Sequence, residues 1–128
     1  MKRIGPTPAE LLSAADDLLS EASDASTGRW PRAVAILLRQ AVEGSLHDIW
    51  RAKAPGLETA SERAQLLCVR SYIAPDLAAR AEHTWTALSR ACHHHAYELP
   101  PTASELAGWM EVADELDHVV RNRIESRH

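Results

Sequence analysis

The clearest indication of the fold class lies in residues 31–53, PRAVAILLRQAVEGSLHDIWRAK. Apolar residues recur in this segment at helical spacing: Val34, Leu37, Leu38, Ala41, Val42 and Ile49. That spacing places them on one face of an α-helix. Pro31 suits the first turn, where its missing N–H leaves no hydrogen bond unmade, and Pro55-Gly56 follows the segment as a break. We therefore predict an amphipathic helix over residues 31–53.

Three copies of the pattern T-x-x-E indicate further helix starts, at Thr7, Thr59 and Thr102. In this capping box the threonine hydroxyl accepts a backbone N–H of the first turn, and the glutamate accepts the threonine's own N–H. Pro75 is placed as the first residue of another helix. These signals predict five helices, over residues 8–24, 31–53, 60–73, 75–93 and 103–124. We expect an all-α antiparallel helical bundle, with residues 1–128 forming a single domain.

The overall composition restricts the classes of function. The chain has 128 residues and a formal net charge of -4, so it is not a general polyanion binder and any contact with nucleic acid must be local. Basic residues outnumber acidic ones between Arg29 and Arg70, whereas every charged residue from Glu98 to Asp117 is acidic. The sequence opens with no secretory leader, and its apolar runs are too short to span a bilayer. We expect a cytoplasmic protein without a membrane segment.

A cluster of cationic and titratable residues, RACHHHAY, occupies positions 90–97 at the end of the predicted fourth helix. Histidine titrates near neutral pH and can donate or accept a proton in catalysis. Arginine keeps its charge and offers planar donors to phosphate oxygens. At about 100° per residue, Arg90 points away from the stripe assigned to the core, which consists of Leu77, Ala81, Trp85, Leu88 and Cys92. The Arg90 side is rich in alanine and is predicted to receive another helix, from the bundle or from a partner subunit.

The segment Arg90-Ala91-Cys92-His93-His94-His95-Ala96-Tyr97 has the form R-x4-H-x-Y and resembles the HEPN family of helical-bundle domains, whose ribonuclease members carry R-x4-6-H at such a place. Residues 38–46, LRQAVEGSL, are similar to the R-x-A-x-E-x-x-L helix of many HEPN bundles. The resemblance implies a homodimeric, metal-independent ribonuclease without a cofactor. Arg90 and His95 would be catalytic, with assistance from His94, Tyr97 and His93.

The same resemblance implies a biological setting and a set of partners. RNA would be the substrate, and the basic residues Arg39, Arg51 and Lys53 are the candidates for binding it. The setting would be a toxin–antitoxin or defence system. A nucleotidyltransferase antitoxin is a possible partner, because Tyr97 offers a hydroxyl that such an enzyme modifies with AMP. Tyr97 could instead donate a hydrogen bond to the phosphate.

Helix geometry leaves open which histidine acts with Arg90. His95 satisfies the R-x4-H count, but in an unbroken helix it lies about 140° around the axis from Arg90, whereas His94 at i+4 lies next to it. The helix must therefore end or tighten near Cys92, or the pairing must occur across a dimer.

A structural interpretation of the same residues stands beside the catalytic one. His93, His94 and His95 could cap the last turn and interact with the helix dipole, and Arg90 could pair with Glu98 or with a carboxylate of the fifth helix. The alternative function is a non-catalytic protein-interaction or nucleotide-binding module. We predict no metal site, because adjacent histidines diverge on a helix. Cys68 and Cys92 are expected to be small buried side chains.

Overall fold

The computed structural model describes residues 5–21, 30–93 and 99–126. These residues form five α-helices and contain no strand: α1 (Pro8–Glu21), α2 (Trp30–Lys53), α3 (Glu62–Cys68), α4 (Pro75–Cys92) and α5 (Ala103–Glu125). Short 3-10 turns span Leu57–Thr59 and Val69–Ser71. The predicted all-α helical bundle is confirmed. The ends of α2, α4 and α5 lie within one residue of their predicted positions, and residues 22–24 of the predicted first helix lie outside the described residues.

The central element is α2, which packs against α1, α4 and α5. Five of the six residues on its predicted apolar face are buried, and the sixth, Leu37, is partly buried. Leu46, which was not on the predicted face, is buried as well. These side chains join the buried residues of the other helices in one hydrophobic cluster. Burial of each large aliphatic side chain stabilises the fold by about 1.5–3 kcal/mol. The packing of α2 therefore contributes more to stability than its helix propensity does.

Two of the three predicted capping boxes are confirmed. The Thr7 hydroxyl accepts the N–H of Glu10 at 3.1 Å, and the Glu10 carboxylate accepts the N–H of Thr7 at 2.8 Å. Thr102 and Glu105 repeat both bonds at the start of α5, at 3.0 and 2.9 Å. Each box satisfies two backbone donors that have no partner within the helix.

The third predicted box is wrong, and the helix it was expected to begin is shorter than predicted. Thr59 belongs to the first 3-10 turn, and its hydroxyl donates to the carbonyl of Gly56 at 2.7 Å. The residue that caps α3 is Ser61, whose hydroxyl accepts the N–H of Ala64 at 3.2 Å. Gly56 has φ 104°, a left-handed conformation that favours glycine. Because this turn uses Thr59, α3 starts two residues later than the pattern predicts.

The segment around α3 is anchored to the C-terminal end of α2 by a buried amide. Trp50 and Gln65 are both fully buried, and the indole N–H of Trp50 donates to Oε1 of Gln65 at 3.0 Å. The Gln65 amide nitrogen donates to the carbonyls of Glu58 and Ala60, at 3.2 and 2.8 Å. Tyr72 packs edge-on against the Trp50 ring, with centroids 5.3 Å apart. One glutamine thus holds the turn before α3 against α2.

The two cysteines differ from the expectation that both are buried. Cys68 is exposed at the end of α3, and Cys92 is partly exposed at the end of α4. In α3 the buried face consists of Gln65 and Leu66, so the apolar run that contains Cys68 also turns Leu67 toward solvent. The prediction for Cys68 was wrong because a seven-residue helix buries only one side of such a run.

Candidate functional site

The end of α4 is the part of the R-x4-H segment that the structure describes. The helix ends at Cys92, and His93 adopts an extended conformation with φ -86° and ψ 135°. The N–H of His93 donates to the carbonyl of Arg90 at 3.2 Å, which closes the last turn. The helix thus ends one residue before its predicted end at 93, and a helix end near Cys92 is one of the two alternatives that the R-x4-H spacing left open. Of the other residues in the cluster, His94, His95 and Tyr97 lie outside the described residues.

Arg90 lies in the last turn of α4, and its side chain is exposed. Among residues 5–21, 30–93 and 99–126, no carboxylate forms an ion pair with it. The fifth helix therefore does not supply the ion pair that the structural interpretation offered, and Glu98 lies outside the described residues. A positive charge at this position complements the partial negative charge of the helix C-terminus. Arg90 also remains accessible to an anion from solvent.

His93 is exposed as well, directly after the helix. Because its backbone is extended, the chain leaves the helix axis at this residue. The 140° separation expected between Arg90 and His95 on a continuous helix does not apply beyond this point.

On the opposite side of α4, a second group of polar residues joins α4 to α2. We call Arg39, Glu43, Trp85 and Cys92 the Glu43 cluster. Oε2 of Glu43 accepts the Nε–H of Arg39 at 3.0 Å and the indole N–H of Trp85 at 2.9 Å. Arg39 also interacts with the thiol of Cys92, whose pKa is raised chiefly by burial. Arg39 precedes Glu43 by one turn of α2, whereas Cys92 follows Trp85 by two turns of α4. The two helices are therefore antiparallel.

The polar face of α2 continues to His47, one turn beyond Glu43. Nε2 of His47 lies 3.1 Å from Oε1 of Glu62 on α3. Burial and the nearby charge of Glu43 raise the pKa of Glu62, whereas His47 and Arg39 act in the opposite direction. The second oxygen of Glu62, Oε2, is buried without a hydrogen-bond partner. Arg39, Glu43 and His47, at i, i+4 and i+8, thus form a partly exposed charged stripe between the helices.

The structure does not bring the predicted RNA-binding residues together. Arg39 lies close to the C-terminal end of α4, because it contacts Cys92. Arg51 and Lys53 belong to the opposite end of α2; a helix rises about 1.5 Å per residue, so Arg51 is about 18 Å along the axis from Arg39. Arg51 lies 3.6 Å from Asp48, and Lys53 donates to the carbonyl of Ser126 at 3.3 Å. Arg90 and Arg39 are also on different sides of α4, since Cys92 is about 160° around the axis from Arg90.

Sequence reasoning missed Glu43 and Trp85 as site residues. The i, i+4 spacing of Arg39 and Glu43 was visible in the sequence and favours an ion pair on one helix. The contact with Trp85 depends on how α4 packs on α2, which local spacing does not define. Arg32 was counted among the basic residues but was not singled out; its charge also acts on the thiol of Cys92.

A groove between α1 and α5 is the other concave surface of note, and its charge is unsuited to phosphate. Its lining includes the carboxylates of Asp16, Glu111, Asp114 and Asp117. Asp117 is buried and pairs with Arg121 at 3.0 Å. A polyanion is repelled by this surface.

No group of three or more His, Cys, Asp or Glu side chains among residues 5–21, 30–93 and 99–126 is arranged to hold a metal ion. Glu115, the carboxylate of the Glu115-x-x-His118 spacing, forms a two-bond ion pair with Arg80 at 2.8 and 3.0 Å. Within those same ranges, none of the helices combines the length and the apolar character needed to cross a bilayer.

Comparisons with known proteins give no relative for this chain: no family model matches it, and no curated protein or solved structure is significantly similar.

Proposed function

We propose that this protein is a metal-independent endoribonuclease of the HEPN kind, with Arg90 and His95 at its catalytic centre. The observation that carries the proposal is the end of α4, where Arg90 is exposed and the backbone leaves the helix at His93. Because α4 ends two residues after Arg90, the divergence expected of this pair on a continuous helix does not count against the proposal. A guanidinium open to solvent beside a run of histidines offers the charge and the proton-transfer groups that phosphodiester cleavage needs.

The proposed reaction uses only side chains. An imidazole removes the proton of a ribose 2′-hydroxyl, and the resulting oxygen attacks the adjacent phosphorus. The bond from phosphorus to the 5′ oxygen breaks, and a second group returns a proton to that oxygen. The products are a 2′,3′-cyclic phosphate and a 5′-hydroxyl end. Arg90 stabilises the additional negative charge on the phosphate oxygens in the transition state.

We assign one proton-transfer role to His95. The other falls to His94, to His93, or to His95 of a second subunit if the protein forms the homodimer that the resemblance implies. Tyr97 would donate a hydrogen bond to the phosphate. A toxin or defence role in the cytoplasm, with a nucleotidyltransferase antitoxin that modifies Tyr97, completes the proposal and rests on the resemblance alone.

The proposal is tested by cleavage of single-stranded RNA in excess EDTA. We expect the unmodified protein to release fragments with cyclic phosphate ends, and Arg90→Ala and His95→Ala to lower the rate by at least about 100-fold. The matched controls are Arg70→Ala on the second 3-10 turn and His118→Ala on α5, which remove the same side-chain types from exposed positions elsewhere. Activity that survives in both Arg90→Ala and His95→Ala, or that falls equally in the controls, contradicts the assignment.

A non-catalytic interaction module is the second candidate, and one observation favours it. Ala79 and His83 are exposed and Thr86 and Ala87 are only partly covered, so the Arg90 side of α4 is not packed against the described part of the chain. Small residues allow close approach of another helix. If the purified protein cleaves no RNA but self-associates in sedimentation experiments, and Ala87→Glu abolishes that association, this second function is the one supported.

A further inference from the structure

We infer that single-stranded RNA is held at the end of α4 by a basic ridge on α2, formed by Arg32 and Arg39, in which Arg32 binds a backbone phosphate. The inference rests on the proposed function and identifies the surface that holds its substrate. It also assigns a role to a residue, Arg32, that was not among the sequence-based candidates.

The two arginines lie on one face of α2. They are seven residues apart, which in an α-helix places them within about 20° of each other around the axis and about 10 Å apart along it. The positive charges of Arg39 and of Arg32 both act on the thiol of Cys92. Tyr72, just before α4, packs on Trp50, and Trp85 of α4 bonds Glu43, so α4 runs toward the N-terminal end of α2. Its last residue, Cys92, is about 10 Å beyond Trp85 along the helix and lies level with the stretch of α2 between Arg32 and Arg39.

The ridge is accessible to solvent. Arg32 is exposed, and the side chain of Arg39 is 35% exposed. Arg39 uses its Nε–H for Glu43, so the carboxylate of Glu43 offsets part of its charge. Arg90 and His93 are exposed on the other side of the same helix end. A strand that passes across this end meets cations on both sides of it.

The other basic residues of α2 are poorly placed to serve the same strand. Arg51 is nineteen residues beyond Arg32, about 28 Å along the helix. Lys53 is farther still and donates to the carbonyl of Ser126, just after α5. The groove between α1 and α5 is acidic. The charge distribution thus directs a phosphodiester chain to the Arg32 end of α2.

Binding is measured separately from cleavage with a fluorescein-labelled oligonucleotide in which every ribose is 2′-O-methylated, because this probe lacks the attacking hydroxyl. Fluorescence anisotropy is followed from low to moderate salt for the unmodified protein, Arg32→Ala and Arg51→Ala. The two variants lose the same charge from exposed positions on the same helix. We expect Arg32→Ala to weaken binding about tenfold and to reduce the salt slope by about 0.7, the value for one phosphate of a single strand. Arg51→Ala should stay within about twofold, and Arg32→Lys should restore most of the affinity.

Equal weakening by Arg32→Ala and Arg51→Ala overturns the inference, as does absence of binding by the unmodified protein at low salt. Arg39→Ala is not used as the test, because it also removes the partner of Glu43. If Arg32-dependent binding is found while unmodified RNA is not cleaved, the ridge stands and the ribonuclease proposal fails.

Discussion

The two ends of α2 use their polar groups in opposite ways. At the C-terminal end, Trp50 and Gln65 are fully buried, and the Gln65 amide accepts one hydrogen bond and donates two. Toward the N-terminal end, the side chains of Arg39 and Glu43 remain 35% and 22% exposed. We call these the Trp50 end and the Arg39 end. The first resembles the interior of any stable domain, whereas the second keeps charges within reach of solvent.

The difference indicates where the protein supports its fold and where it can bind a ligand. A buried, fully bonded amide leaves no group for a partner, and it specifies one arrangement of the chain around it. Charges at a helix end, such as Arg90, add little stability when exposed. Such groups retain their affinity for anions, so the Arg39 end is the one suited to function.

Replacement of Trp50 by alanine is the strongest test of this division, because it empties the Trp50 end. The change removes a fully buried ring and leaves the Gln65 carbonyl without its donor. We expect a loss of about 3–5 kcal/mol in the free energy of unfolding, measured by urea denaturation followed by circular dichroism. Trp109→Ala on α5 is the control, since that ring is only partly buried. Equal losses in the two variants would mean that the Trp50 end contributes no more to stability than a partly buried ring does.

The sequence predicted α2 far better than it predicted the segment that follows. In α2 the apolar spacing, the first-turn proline and the Pro55-Gly56 break all indicate one helix, and local signals that agree give a reliable prediction. At Thr59 two local solutions compete: the same threonine can cap a helix or close a 3-10 turn. The outcome depends on Gln65, which holds the carbonyls of Glu58 and Ala60 through a contact with Trp50 fifteen residues earlier in the chain.

In the candidate site, too, local features were predictable from the sequence and contacts between distant residues were not. The end of α4 was predicted to within one residue, and a helix end near Cys92 was one of the two alternatives that the R-x4-H spacing left open. The contact of Trp85 with Glu43 was not, because those residues are 42 positions apart and meet only through helix packing. The distance between Arg39 and Arg51 was within reach of the sequence, since both lie on one predicted helix of known rise. Counting the charges of a basic segment does not show how far apart they lie along the helix.

A second variant, Glu43→Gln, examines the Arg39 end directly. The amide still accepts a hydrogen bond from Trp85, but the ion pair with Arg39 is lost. We expect a decrease of about 1 kcal/mol in the free energy of unfolding, measured in urea as for Trp50→Ala. Asp76→Asn is the control: it breaks an equally spaced pair with Arg80, but its carboxylate is 83% exposed. That control should change stability by less than about 0.5 kcal/mol. A loss as large as that of Trp50→Ala would make the Arg39 end a second structural centre.

The smallest expected effect is a dependence on pH at Glu62, which lies between the two ends. Burial and the charge of Glu43 raise the pKa of Glu62 in the folded protein above its ordinary value of 4.5. The folded state therefore binds this proton more tightly than the unfolded state does. The associated stability is fully present below pH 4.5 and is lost as the pH rises through the folded pKa. Because Gln has no proton to lose, Glu62→Gln should gain stability relative to the unmodified protein over that rise, as measured by thermal unfolding at a series of pH values.

Glu58→Gln supplies a control of opposite sign from a neighbouring carboxylate. The pKa of Glu58 is lowered by hydrogen bonds from its own backbone N–H and from that of Gly56, the latter at 2.7 Å. Its stabilising effect is present above pH 4.5 and is lost as the pH falls through the folded pKa, so this variant should approach the unmodified protein in acid. The two variants should thus diverge from the unmodified protein in opposite directions as the pH rises. Parallel profiles would contradict either the effect of burial and Glu43 on Glu62 or the effect of the Gly56 N–H on Glu58.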